Sequence, residues 1–360
     1  MLFLYTFIGS LLGLVVGTIP GLSVTMATAL LLGLTYSWPT HHALATIMGV
    51  YVVGVFSGAI SAILINVPGA PSALVTTLDG HPMAKKGEGA DALFLAVIYS
   101  FVGSLFGLLA LALFAKPLSI FALSFRTIDY FLLAFFALSA LMSLSGGKPK
   151  KAILAGVAGI LFSLVGLDPI TGTHRFTFGI RLLMPGIPLV PVLLGFFGLG
   201  EAIMMLEQKD KTRFKLNKRE IKAKEALSYF PFSLYYALLG TLVGILPGAG
   251  TPVASFLSYS QAAKRTKNPK VPFGQGAREG IIAPEAANNA CVGGALIPML
   301  SLGIPGDGVS AIILSVFMVH GLKPGPLFMM ENYDTFLWIL KSGLVASVFL
   351  LILGLSLAPY

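Results

Sequence analysis

Charge is what this sequence has least of. Only 11% of its 360 residues are Asp, Glu, Lys or Arg, where a water-soluble domain carries roughly 25%. With 56% hydrophobic residues beside them, water is excluded as the main solvent. Cysteine is nearly absent as well: Cys291 stands alone, which excludes an internal disulfide and leaves a cysteine-based metal site without ligands. The five histidines show no HxxxH spacing, and neighbours such as His41 and His42 diverge on a helix, so no catalytic metal is expected. No serine stands in a nucleophile-elbow context, which removes the parts of a membrane hydrolase. Gly87-Glu-Gly89-Ala-Asp-Ala92 satisfies a GxGxxA pattern but follows a charged loop instead of a strand, so a dinucleotide cofactor is not expected either. The net charge of +9 is spread over short loops and not over a basic face interleaved with aromatics, which argues against a nucleic-acid partner.

What the chain has instead is long apolar runs. Residues 93–115, 130–144 and 189–206 are apolar on every face and close to the roughly 20 residues a bilayer core requires, so they read as transmembrane helices. The first fourteen residues lack a basic n-region and a small-residue cleavage pattern and are not read as a removable signal. Lys and Arg favour cytoplasmic loops, which places Lys85-Lys86, the loop at 148–151, the run from 209 to 224 and the stretch 264–270 inside, and the turns at 38–42 and 331–334 outside. Two pairs of spans, 92–115 with 128–145 and 152–167 with 187–206, then cross out and back. The run at 209–224 is most simply a solvated loop near acidic headgroups.

The strongest internal signal is a repeat. Gly13-Leu-Val-Val-Gly17-Thr-Ile-Pro20-Gly21 recurs as Gly240-Thr-Leu-Val-Gly244-Ile-Leu-Pro247-Gly248, with every Gly and Pro in register. Val67-Pro68-Gly69 followed by Ser72-Ala73 answers Ile304-Pro305-Gly306 followed by Ser310-Ala311. Two matches in order define two halves on one plan: a first membrane repeat at 1–207, a basic cytoplasmic loop at 208–225, and a second repeat at 226–360. The loop charges make the halves inverted. The expected fold is therefore an all-α integral membrane protein of two inverted repeats with Pro-Gly-broken or re-entrant helices. After 331 the second repeat has one apolar segment where the first has four, so it reads as truncated. Residues 226–262 are slightly short for two spans of about 20 residues each, which suits a re-entrant hairpin with its tip at Pro247-Gly248-Ala249-Gly250; two tight spans are the alternative.

Each Pro-Gly junction should break a helix, because proline removes a donor and glycine opens dihedrals closed to other residues. Broken backbone at membrane depth is tolerated where it is buried in protein or lines a wet cavity, and there half-helix N-termini attract anions while freed carbonyls attract cations. Pro68, Gly69, Pro247, Gly248, Gly250, Pro305 and Gly306 are accordingly candidate substrate-binding residues, against a purely structural role as kinks. The densest polar run, from Glu279 to Asn289, adds Asn288 and Asn289, whose amides can donate to a carboxylate; Asn66, just before the second break, is a third amide. Pro284 suits the first turn of a helix, and Glu285 beside it favours the helix's positive end. Glu285 is also a candidate ion ligand, as are Thr251 and Ser255, which follow the third break with Ser258 at helical spacing. The hydroxyls of the last three can equally back-bond to their own helix.

Gly244-Ile-Leu-Pro-Gly-Ala-Gly250, Ala254-Ser-Phe-Leu-Ser-Tyr259, the run from Glu279 to Asn289, Leu302-Gly-Ile-Pro-Gly306 and Gly321-Leu-Lys-Pro-Gly-Pro326 together resemble the large membrane subunit of the bacterial tripartite tricarboxylate transporters. The first half agrees through Val15-Val-Gly-Thr-Ile-Pro-Gly-Leu22, Ile65-Asn-Val-Pro-Gly69 and Leu78-Asp-Gly-His-Pro-Met-Ala84. The resemblance implies a multi-pass inner-membrane permease and no enzyme. It would work with a small membrane subunit and a periplasmic solute-binding protein, move small carboxylates and run on a gradient of Na+ or H+ without ATP or another cofactor. Members of that family usually run well over a hundred residues further, and often carry Tyr-Gly-Gly where this chain has Phe56-Ser57-Gly58. A scaffold or assembly subunit without a transport site is the competing class, and a membrane-embedded enzyme the third.

Overall fold

The computed structural model describes residues 1–143, 149–168, 173–187 and 221–357, with positions 191, 192, 195 and 203. The apolar segment at 187–206 and most of the basic loop at 208–225 thus lie outside the described residues. The first half runs through α1 (Leu2–Thr18), α2 (Val24–Leu34) and α3 (Thr40–Ile65). A single 3-10 turn (Pro71–Ala73) and α4 (Thr76–Lys85) follow. Then come α5 (Gly89–Ala122), α6 (Thr127–Ser143) and α7 (Pro149–Ser163). A two-residue antiparallel pairing of Gly166–Leu167 with His174–Arg175 is the one strand pairing among the described residues. The second half contains α8 (Ala223–Leu227), α9 (Phe230–Ile245), α10 (Gly250–Arg265) and α11 (Glu279–Leu302). It closes with α12 (Gly308–Val319), α13 (Phe328–Glu331) and α14 (Tyr333–Leu357).

Three helices among the described residues, α3, α5 and α14, are long and apolar enough to cross a membrane. The fold is that of an all-α membrane protein. α5 is longer than its expected span of 92–115: its 34 residues continue through Pro117 and rise about 51 Å, beyond a hydrocarbon core of about 30 Å. α9 and α10 have 16 residues each and rise about 24 Å, short of that thickness.

The helices stop where Pro and Gly stand. α1 gives way at Ile19 and α9 at Leu246, both extended and both one residue before the proline, because the residue preceding proline is pushed out of the helical region. α3 and α11 end alike in a left-handed residue, Asn66 at φ 58° and Gly303 at φ 73°, the two residue types that adopt this conformation most readily.

The packing recurs with the sequence. In α1, a Cβ placed on Gly13 would lie 2.8 Å from the Val50 carbonyl oxygen of α3, and in α9 one on Gly240 would lie 2.0 Å from the Ala287 carbonyl oxygen of α11. Gly17 closes on Gly54 as Gly244 closes on Cys291. The breaks then fold back on the same glycines: a Cβ on Gly69 would meet the Gly17 oxygen at 1.9 Å, and one on Gly306 the Gly244 oxygen at 2.4 Å. Hydrocarbon tails are as apolar as leucine, so helix association in a bilayer rests on close van der Waals approach, which small residues permit.

α3 and α11 form the centre. Every residue from Ala43 to Ile63 and from Gly280 to Ser301 is buried. α1 lies along α3, and α5, α9 and α10 surround α11, with α14 packed on α3 and α5.

Candidate functional site

All four chain breaks meet at one cavity of about 630 Å³, within the roughly 300–1,000 Å³ of small-molecule sites. The first break contributes Ser23, Val24 and Thr25, the second Ala70, Pro71 and Ser72, the third the stretch from Pro247 to Pro252, and the fourth Ile304, Pro305 and Asp307 to Val309; Tyr51 and Val55 of α3 form part of the wall. The lining is mostly apolar, and it includes no lysine, arginine or histidine.

The first turns of α2, α10 and α12 all lie in this lining, so their positive dipole ends face a common space. The three ends differ. Ser23 caps α2, its hydroxyl accepting from the Met26 N–H at 3.0 Å. Asp307 caps α12 in a reciprocal capping box: its carboxylate accepts from the Ser310 N–H at 2.8 Å, and the Ser310 hydroxyl accepts from the Asp307 N–H at 2.9 Å. α10 has Ala249 at its cap position and receives no side-chain hydrogen bond. Its Gly250 and Thr251 N–H groups are thereby open to a ligand, Pro252 having none. Gly250 opens that turn at φ 65°, with Asp307 directly beside it, and the Gly248 N–H donates to the Gly306 carbonyl at 2.8 Å, pinning the third break to the fourth.

Of the residues singled out from sequence, Pro247, Gly248, Gly250, Thr251 and Pro305 line the cavity. Gly306 lies just behind it. Pro68 and Gly69 precede the lining segment at 70–72, with Gly69 packed on the Gly17 carbonyl. Asn66 is the exposed left-handed cap of α3 and is not among the lining residues.

Ser255 and Ser258 turn inward on α10. The Ser255 hydroxyl points to the Pro284 carbonyl at 3.5 Å, and Ser258 back-bonds to the Ser255 carbonyl at 2.8 Å.

Glu285, Asn288 and Asn289 are fully buried outside the cavity lining. α11 begins at Glu279, so Pro284 sits inside the helix and not in its first turn. The missing proline N–H leaves only the Gly280 carbonyl without its helical partner. Glu285 is consequently a helix-interior residue met by side chains. The Thr76 hydroxyl donates to it at 2.7 Å, the Ser100 hydroxyl at 2.9 Å and the Asn288 amide at 3.4 Å.

The sequence reading did not single out Asp307 and Tyr51 as site residues, nor the lining hydroxyls of Ser23, Thr25 and Ser72. The Tyr51 hydroxyl donates to Asp307 at 2.5 Å. The available signal was Asp307-Gly-Val-Ser310 directly after a Pro-Gly break, an acceptor three residues before a hydroxyl that can answer it.

The comparisons with known proteins place the chain in a family. The sequence profile of the tripartite tricarboxylate transporter TctA family matches residues 3–360. An uncharacterized 52.8 kDa protein of the TAR-I ttuC' 3' region of Agrobacterium vitis is 36% identical over 363 residues, covering 98% of this chain and 71% of that protein. A second uncharacterized protein, of the TAR-II ttuC' 3' region of the same organism, is 43% identical over 118 residues, 33% of this chain and 48% of the relative. No solved structure matches. On the match along nearly its whole length, the chain belongs to the tripartite tricarboxylate transporter TctA family.

Proposed function

We propose that this chain is the permease subunit of an ion-gradient-driven importer of small di- or tricarboxylates, and that the cavity between the four breaks is where the substrate rests. The observation that carries this reading is the convergence of three half-helix N-termini and four Pro-Gly breaks on one space of substrate size. An N-terminus with open N–H groups is an anion site by its geometry, and discontinuous helices meeting at a repeat interface are how secondary transporters build such sites. Family membership supports the substrate class.

In this reading the substrate is handed over by a periplasmic solute-binding protein, a small membrane subunit completes the complex, and the chain resides in the bacterial inner membrane. The open first turn of α10, at Gly250 and Thr251, holds one carboxylate. Ser72, Thr25 and Ser23 supply hydroxyls around it, and Pro68, Gly69 and Gly306 fix the breaks from behind. The two halves are inverted relative to each other, with α9 and α10 forming a re-entrant hairpin whose tip is the third break. The recurring glycine contacts support the repeat, and the shortness of α9 and α10 supports the hairpin. Sodium ions or protons couple the gradient to the movement.

Uptake of labelled di- and tricarboxylates into vesicles containing the chain, its small subunit and a binding protein, with and without a sodium gradient, tests this. Thr25→Trp should fill part of the cavity and abolish uptake in a protein that still folds. Gradient-dependent uptake at the wild-type rate in that variant would place the substrate elsewhere.

A further inference from the structure

Away from the cavity lies a sealed polar layer that the substrate reading does not use. Glu285 and Asn289 are four residues apart on α11, with Asn288 between them, so all three side chains lie toward one side of the helix. Facing them on α5 are Ser100 and Ser104, also four apart. The helices are held in near contact beside this layer, because a Cβ on Gly103 would lie 2.2 Å from the Ala286 carbonyl oxygen and one on Gly107 would lie 2.3 Å from that of Ala290. Thr76 of α4 and the Val52 carbonyl of α3 complete the set. The Asn289 amide donates to Ser104 at 2.9 Å and to the Val52 carbonyl at 3.1 Å. Every one of these side chains is at most 2% exposed.

The accounting of this layer does not balance. Buried polar groups in folded proteins are nearly always satisfied, yet the Oδ1 atoms of both Asn288 and Asn289 are buried without a hydrogen-bond partner. In the same layer Glu285 has three hydrogen-bond donors but, among the described residues, no cationic partner. A carboxylate buried in this way is costly unless it is neutralised. Both shortfalls have the same sign: oxygen atoms in excess and positive charge missing.

We propose that Glu285, Asn288 and Asn289 form a site for a monovalent cation, sodium, with the hydroxyls of Thr76, Ser100 and Ser104 in support. Carboxylate, amide and hydroxyl oxygens suit hard cations. One carboxylate among neutral oxygens gives a net charge of minus one, which matches a monovalent ion; calcium sites in proteins gather six to eight oxygens and commonly more than one carboxylate. The layer touches the cavity through two short routes. Asn289 holds the Val52 carbonyl, and the preceding residue Tyr51 holds Asp307 at the cavity wall. On the other side Ser255 reaches the Pro284 carbonyl, next to Glu285, from one turn below the cavity residue Thr251. This deepens the permease reading by naming its coupling ion, but the site itself stands on the polar layer alone.

The test uses the purified chain with no carboxylate present. Thermal unfolding is followed as sodium chloride replaces choline chloride at constant ionic strength, alongside equilibrium binding of radioactive sodium. A ligand that binds only the folded state raises the unfolding midpoint, so the wild type should show a saturable rise and saturable binding, and Glu285→Gln should lose both. Asn288→Asp, which keeps size and adds a second negative charge, should gain a calcium-dependent rise absent from the wild type. Absence of a sodium response in the wild type overturns the proposal. So does a folded Glu285→Gln protein that responds as the wild type does, or a folded Asn288→Asp protein with no calcium response. Carboxylate binding that persists in a protein without a sodium response would remove the ion site and leave the permease reading standing.

Discussion

Tyr51 donates its hydroxyl to Asp307 at 2.5 Å, tying the central helix of the first half to the cap of α12 across 256 positions of sequence. The pair places the one carboxylate of the cavity lining next to the open end of α10. An acid in a space proposed for acids has a consequence for affinity. Asn caps helices as well as Asp does, so Asp307→Asn keeps α12 in place while removing a negative charge. Two like charges at 4 Å repel by about 1 kcal/mol even at the dielectric of water. Calorimetric titration with citrate should therefore show at least about fivefold tighter binding to Asp307→Asn. Equal or weaker binding would contradict a substrate anion beside Asp307.

The glycine contacts behind the breaks make a paired prediction. Gly69→Ala and Gly306→Ala each drive a methyl group into a backbone carbonyl, that of Gly17 and that of Gly244, and neither carbonyl can turn aside without disturbing its own helix. Overpacking of this kind costs about 1–3 kcal/mol or more, so both variants should lower the unfolding midpoint in detergent by similar amounts. Gly33→Ala, inside α2 and meeting nothing within 4 Å, should not lower it and should raise it slightly, since alanine is the better helix former.

Asp79 clamps α4 to α10 and to the loop at 274–277, outside the cavity. Its carboxylate accepts from the N–H groups of Gly274, Gly276 and Ala277 at 2.7 to 2.9 Å and from the Tyr259 hydroxyl at 2.9 Å. Asp79→Ala leaves these donors unmet, at roughly 1–3 kcal/mol for each one kept from water. Hydrogen exchange at 274–277 should accelerate strongly relative to exchange in α11.

Glu225 of α8 is half-buried, and the Arg278 guanidinium beside it lowers its pKa from the usual 4.5, with Lys270 adding to the effect. A carboxyl whose pKa falls on folding stabilises above the unfolded value and loses that contribution as pH drops through the folded one. The hold of α8 on the 270–278 loop should thus persist at neutral pH and release in acid below 4.5. A spin or fluorescent label on α8 should report this transition, and Glu225→Gln should abolish its pH dependence.

The breaks were legible in the sequence because Pro and Gly act locally: each stops a helix by its own chemistry, and the extended Ile19 and Leu246 sit where that chemistry puts them. The close contacts of Gly13, Gly17, Gly240 and Gly244 were legible because the glycine spacing marks where another backbone can approach. Which ends would share a cavity was not, since that depends on helices hundreds of positions apart, and Tyr51 carries no local mark of its role. The asparagines were read from polarity alone. α11 is buried on all sides, so it has no apolar stripe from which to tell direction, and only the fold separates a residue in the cavity wall from one in a sealed layer. Pro284 misplaced a helix boundary for a related reason: a proline is tolerated inside a helix when surrounding helices hold the backbone on either side.

The central claim, that carboxylates occupy the space between the four breaks, can be tested with thiol chemistry. Cys291 is the sole cysteine and is fully buried, so the chain offers a silent background. Single cysteines at Thr25, Ser72 and Thr251 in the cavity lining and a control at exposed Ser124 would be labelled with a small maleimide, with and without citrate or a dicarboxylate. The account predicts that carboxylate slows labelling at the three cavity positions and leaves Ser124→Cys untouched. Equal labelling rates at all four, in protein shown by calorimetry to bind the same carboxylate, would contradict it.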